Sequence, residues 1–150
     1  KDITPLLADR KAFGIAVDRL AEPFLADGIT HVVGIEARGF IVATPVAERL
    51  SAGFVPIRKA GKLPGEVRGL TYDLEYGTAT LEIHQAAFVG GERVLVVDDV
   101  LATGGTAEAA CRLLDEAGAT VVAFETLVEL AFHPGHDLPA LDALADRPTA

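Results

Sequence analysis

The chain has 150 residues, half of them hydrophobic, which is enough for one domain with a continuous core and too apolar for a disordered chain. A formal charge of −9, from 22 acidic and 13 basic side chains, disfavours binding to a nucleic-acid backbone. Any anionic substrate must therefore be met by a local cluster of cations, and no apolar run approaches the roughly 20 residues of a membrane span.

In chain order, Phe13, Ala16, Val17, Leu20, Ala21 and Phe24 recur at helical spacing, with Asp18, Arg19 and Glu22 on the other side. Pro23 predicts a kink or stop near the end of that helix. Residues 31–35 read as a buried strand, closed by Glu36, Ala37, Arg38 and Gly39. A second helix is expected within 40–50, with Pro45 leaving its start open. Residues 54–58 form another short strand. Residues 59–78 hold Gly61, Pro64, Gly65, Gly69 and Gly77 with little periodicity, and read as one long, flexible loop of functional importance. A strand returns at 79–84, and Gly90 with Gly91 makes a turn. Residues 93–100, with Val94, Leu95, Val96 and Val97 in a row, suit a parallel strand covered on both faces. Ala110, Leu113, Leu114 and Ala117 mark a helix that Gly118 ends, and 120–128 are the last strand. This alternation predicts an α/β fold with a mostly parallel central sheet flanked by helices, in a single domain over 1–150. The last twenty residues, with Pro134, Pro139 and Pro148, receive no assignment.

The chemistry concentrates where the most β-like strand runs into Asp98 and Asp99, then Ala102, Thr103, Gly104, Gly105 and Thr106. Ligands of open α/β sheets bind beyond the carboxyl ends of the strands. A small-residue loop leading into a helix exposes backbone N–H groups to an anion, and its glycines allow close approach. A phosphate monoester fits that cradle, and the two carboxylates can accept hydrogen bonds from sugar hydroxyls. Neither a P-loop nor a G-x-G-x-x-G dinucleotide fingerprint is present. The plainer alternative is two acids at a strand end followed by an ordinary turn.

This string resembles the phosphoribosyl-pyrophosphate signature of the type I phosphoribosyltransferases. Further segments match the branch of that family that acts on adenine: DITPLL at 2–7, GIEARGF at 34–40, RKAGKLPG at 58–65, LEYG at 74–77, LEIH at 81–84 and LVEL at 127–130. The resemblance implies that Asp98 and Asp99 hold the ribose hydroxyls and residues 102–106 the 5-phosphate. It assigns the pyrophosphate to Ala37 and Arg38, with Arg58, Lys59 and Lys62 added from the loop. It makes Glu75 the catalytic group, reaching the base from the mobile loop, with Tyr76 shaping the closed loop. Lys1, where the family carries arginine, and Ile3 belong to a hood over the base, and that N-terminal segment is expected to be incomplete. After Glu129 the family's usual closing aromatic segment is missing.

The implied reaction joins adenine to the ribose-phosphate of phosphoribosyl pyrophosphate, giving AMP and pyrophosphate. Mg2+ would be held mainly through the substrate, the protein acting as a homodimer in the cytoplasm, without nucleic-acid or membrane partners. The alternatives are a transferase for a 6-oxopurine or orotate, or a non-enzymatic phosphoribosyl-pyrophosphate sensor. The 6-oxopurine branch opens its phosphate loop with an aspartate, and here Ala102 stands there. A nucleic-acid-binding sensor would need a basic face. His31, His84, His133 and His136 show no metal-ligand spacing, Ser51 has no nucleophile-elbow context, and Cys111 reads as a core residue in a reducing compartment.

Overall fold

The computed structural model describes residues 2–130. Lys1 and the tail from 131 onward, and with them the expectations for the hood lysine and the closing segment, lie outside the described residues. The elements are α1 (Thr4–Ala8), α2 (Arg10–Ala21), a 3₁₀ turn (Glu22–Phe24), β1 (His31–Ile35), α3 (Arg38–Arg49), β2 (Gly53–Lys59), β3 (Val67–Asp73), β4 (Thr78–His84), β5 (Arg93–Leu101), α4 (Gly105–Glu116) and β6 (Thr120–Glu129).

Local chemistry accounts for the helix ends. The Asp9 carboxylate accepts the N–H groups of Lys11 and Ala12 at 2.9 Å and so caps α2. Its C-terminal end gives way to the 3₁₀ turn at Pro23, as the proline predicts. Pro45 does not delay the start of α3, which begins at Arg38 and carries the proline inside it. The missing N–H leaves the Ile41 carbonyl without its helical donor, on a half-exposed residue. The opposite stripe of Val42, Ala43, Val46 and Ala47 is buried and holds the helix on the sheet.

Six strands make one sheet in the order β3-β4-β2-β1-β5-β6. The pairs β2–β1, β1–β5 and β5–β6 are parallel, whereas β2–β4 and β3–β4 are antiparallel. Successive residues of β5 serve opposite faces. Val94 and Val96 pack with Ala110, Leu113 and Leu114 of α4. Leu95 and Val97 pack with Val17 and Leu20 of α2 and Val42 and Val46 of α3. This two-sided burial is why the run at 94–97 is continuously apolar. Cys111 lies in the α4-side core.

One expectation is corrected. Residues 59–78 are not a continuous loop, because β2 extends to Lys59 and β3 occupies Val67–Asp73. All seven residues of β3 pair with β4, from Val67 opposite His84 to Asp73 opposite Thr78. Leu70 is buried in the core and Tyr72 packs against it. An antiparallel partner and one buried apolar face outweigh the glycines that suggested a loop.

Candidate active site

The parallel strands end on one side of the sheet, and their carboxyl ends converge. Glu36, Ala37 and Arg38 follow β1, Arg58 and Lys59 close β2, and Asp98 and Asp99 lie in the second half of β5. Between them opens a cleft of about 300 Å³, lined among others by Ala37, Arg38, Lys59, Asp98, Asp99 and Thr106.

The acid pair is held asymmetrically. Asp98 Oδ1 accepts the Asp99 N–H at 2.9 Å. Burial, followed by the neighbouring Asp99 carboxylate, pushes the Asp98 carboxyl up to about 7, although that N–H works against the shift. The Asp99 side chain is only 9 % exposed, and its Oδ2 lies 2.8 Å from Arg38 Nε. That contact is close enough for charge attraction but is not aligned as a hydrogen bond, so the buried Oδ2 has no hydrogen-bond donor among the described residues.

Beyond the pair, Ala102, Thr103 and Gly104 lead into α4 and line the cleft with Thr106. Gly104 is the N-cap of α4 at φ 85°, a left-handed conformation that L side chains adopt rarely. It has no side chain to cap the helix, so the first N–H groups of α4 remain available to an anion. Gly105 begins the helix without lining the cleft. On the far wall, Tyr72 Oη lies 3.1 Å from Thr106 Oγ1 and ties β3 to the start of α4. The peptide between Glu36 and Ala37 is cis.

The cations divide. Lys59 lines the cleft, while Arg58 Nε and Lys62 Nζ lie 3.3 Å and 2.5 Å from the Glu36 carboxylate. Glu75 and Tyr76 sit on the turn between β3 and β4, closed by the Leu74 N–H donating to the Gly77 carbonyl at 2.9 Å. Both are exposed, Tyr76 by 89 %, and neither lines the cleft. Ile3, the N-cap residue of α1, is buried and does not line it either, but Asp2 is close enough for its carboxyl to be lowered by Arg38, after the larger effect of its bonds to Thr4. Sequence reasoning missed two groups: Tyr72, hidden inside the supposed loop, and Glu36, whose partners are distant in the chain.

The family model of the phosphoribosyl transferase domain matches residues 6–142. An adenine phosphoribosyltransferase of Frankia casuarinae is 60 % identical over 137 residues, covering 91 % of this chain and 73 % of that protein. The chain belongs to the adenine phosphoribosyltransferases. Solved structures of the family agree in fold. That from Thermoanaerobacter pseudethanolicus is 46 % identical with a TM-score of 0.87, covering 95 % of this chain and 81 % of its own. That from Saccharomyces cerevisiae, solved with adenine and an imino-altritol bisphosphate, is 40 % identical with a TM-score of 0.82, covering 87 % and 77 %. The six-stranded sheet and its flanking helices are therefore the type I phosphoribosyltransferase fold, as its sequence motifs imply.

Proposed function

We propose that the protein transfers the 5-phosphoribosyl group of phosphoribosyl pyrophosphate to adenine, releasing pyrophosphate and forming AMP. One observation carries this reading: the acid pair and the uncapped N-terminus of α4 share one cleft with Arg38 and Lys59. The 5-phosphate would sit on the N–H groups of residues 102–106, with the hydroxyls of Thr103 and Thr106 beside it. Asp98 and Asp99 would accept the ribose hydroxyls, and Ala37, Arg38 and Lys59 would take the diphosphate, with Arg58 and Lys62 at their back. Binding of the diphosphate would draw Arg38 from Asp99 and leave that buried carboxylate to the sugar.

Mg2+ fits this site as a companion of the substrate. Among the described residues no three metal-ligating side chains cluster into a cage, and Asp99 Oδ2, which contacts Arg38 but accepts no hydrogen bond, is an oxygen ligand beside the diphosphate turn. The ion would be held by diphosphate oxygens and water, with Asp98 and Asp99 at its edge, and would offset charge on the leaving group. Glu75 and Tyr76 would reach the base when the β3–β4 turn closes over the cleft, Glu75 managing the imidazole proton of adenine while N9 attacks C1 of the ribose. Closure would also exclude water from the sugar cation. Lys1 and Ile3 would complete the hood. A homodimer acting in the cytoplasm belongs to the same proposal.

A turnover assay with phosphoribosyl pyrophosphate and adenine, hypoxanthine or orotate in turn tests it. AMP should form from adenine alone. Turnover of another base in preference, or tight phosphoribosyl-pyrophosphate binding with no turnover of any base, would refute the reading.

A further inference from the structure

Glu36 follows β1 directly and opens the turn that carries Ala37 and Arg38. Its backbone N–H donates to the Ile57 carbonyl at 2.9 Å, extending the β1–β2 ladder one step past its last paired residues. The side chain is 7 % exposed, and three groups from the end of β2 and the segment after it meet on it. Lys62 Nζ contacts Oε1, while Arg58 Nε (3.3 Å) and the Lys59 backbone N–H (3.0 Å) both donate to Oε2. The Lys62 bond, ahead of the Lys59 and Arg58 donors, outweighs burial and holds the carboxyl down to about 2. The group is therefore anionic throughout the neutral range.

The cations are thereby sorted. Arg58 and Lys62, drawn to Glu36, do not line the cleft. Lys59 does, and no ion pair among the described residues engages its ammonium. We infer that Glu36 is a positioning residue for the transfer reaction: by fixing Arg58, Lys62 and the Lys59 backbone, it sets the Lys59 ammonium opposite Arg38 for the diphosphate. This rests on the diphosphate reading of the cleft given above. The opposite role is equally definite in its consequence, because a carboxylate that merely competed with diphosphate for these cations would weaken substrate binding, and its removal would tighten it.

Steady-state kinetics on the full chain distinguishes the two. Glu36→Ala should raise the KM for phosphoribosyl pyrophosphate about tenfold or more, the equivalent of a hydrogen bond to a charged group, with a much smaller change in kcat. Glu36→Gln keeps an acceptor for the Lys59 N–H and should recover part of the loss. In a Lys59→Ala background, Glu36→Ala should add less than about twofold, because the two residues act through one contact. A lower KM in either Glu36 variant, or full additivity with Lys59→Ala, would overturn the positioning role. If Lys59→Ala alone leaves the KM unchanged, the diphosphate assignment fails and the inference falls with it. A normal KM in Glu36→Ala beside a raised KM in Lys59→Ala overturns the inference alone. Thermal unfolding of Glu36→Gln guards against a misfolded alanine variant, since the glutamine enzyme reports the same sign.

Discussion

Gly39, in the first turn of α3, packs tightly against the acid pair at the back of the cleft. A Cβ added there would lie 2.8 Å from Asp98 Oδ1, 3.2 Å from the Val97 carbonyl oxygen and 3.4 Å from the Asp98 Cα. Asp98 cannot simply turn away, because Oδ1 accepts the Asp99 N–H, and the Val97 oxygen is backbone. Gly39→Ala should therefore push the start of α3, and Arg38 with it, off the acid pair. Overpacking of this kind costs about 1–3 kcal/mol. Alanine in a helix returns about 0.5–1 kcal/mol relative to glycine. The net loss is about 0–2.5 kcal/mol, or at most about 10 °C in Tm for a domain of this size. Binding should suffer more than stability, since the displaced groups are those assigned to ribose and diphosphate. Losing one charge-assisted hydrogen bond weakens affinity about tenfold or more. Calorimetric titration with AMP and thermal unfolding measure the two effects. Gly14→Ala in α2, where a Cβ meets nothing within 4 Å, is the control and should leave AMP binding unchanged. Unaltered AMP affinity in Gly39→Ala would refute the claim that α3 is seated on the acid pair to build the site.

Gly104→Val puts a β-branched residue at φ 85° in the phosphate cradle, and calorimetry should show AMP binding falling at least about tenfold while the fold persists. Asp98→Asn and Asp99→Asn should each weaken AMP binding by about 1.5–3 kcal/mol, with inorganic phosphate binding nearly unchanged. Because the Asp98 carboxyl is raised to about 7, its anionic form gains population as pH rises from 6 to 8, and AMP affinity should rise with it. The phosphate titrates nearby, so the diagnostic quantity is the part of that rise that disappears in Asp98→Asn; equal pH profiles would contradict it. Glu75→Gln should lower kcat by a factor of about 10²–10⁴ with little change in the KM for phosphoribosyl pyrophosphate, as steady-state kinetics will show.

What the sequence discloses follows from the range of the interactions involved. The strands around 32–35 and 94–97 are legible because burial on both faces demands runs without polar side chains, and the cradle is legible because Asp98 through Thr106 is contiguous. β3 is not, because its outward residues include Gly69 and Thr71 and its stability comes from pairing with β4. Glu36 is illegible for a stronger reason. Its partners lie 22 to 26 residues away and meet it only because β1 and β2 are parallel neighbours.

Glu75 marks the converse case, in which a local motif singles out a residue that the structure leaves outside the cleft. The groups assigned to ribose, phosphate and diphosphate stand at strand and helix ends anchored in the two cores. Glu75 instead stands on a four-residue turn closed by one backbone hydrogen bond, between two strands at the edge of the sheet. A group that acts on the base only after both substrates are seated must leave the cleft open beforehand, which favours a position with few contacts to break. The rigid half of the site can then be read from strand ends, whereas the moving half can be read only from a motif. A substitution in the rigid half should weaken binding. A substitution at Glu75 should leave binding intact and slow the chemical step, and that division separates the two halves by kinetics alone.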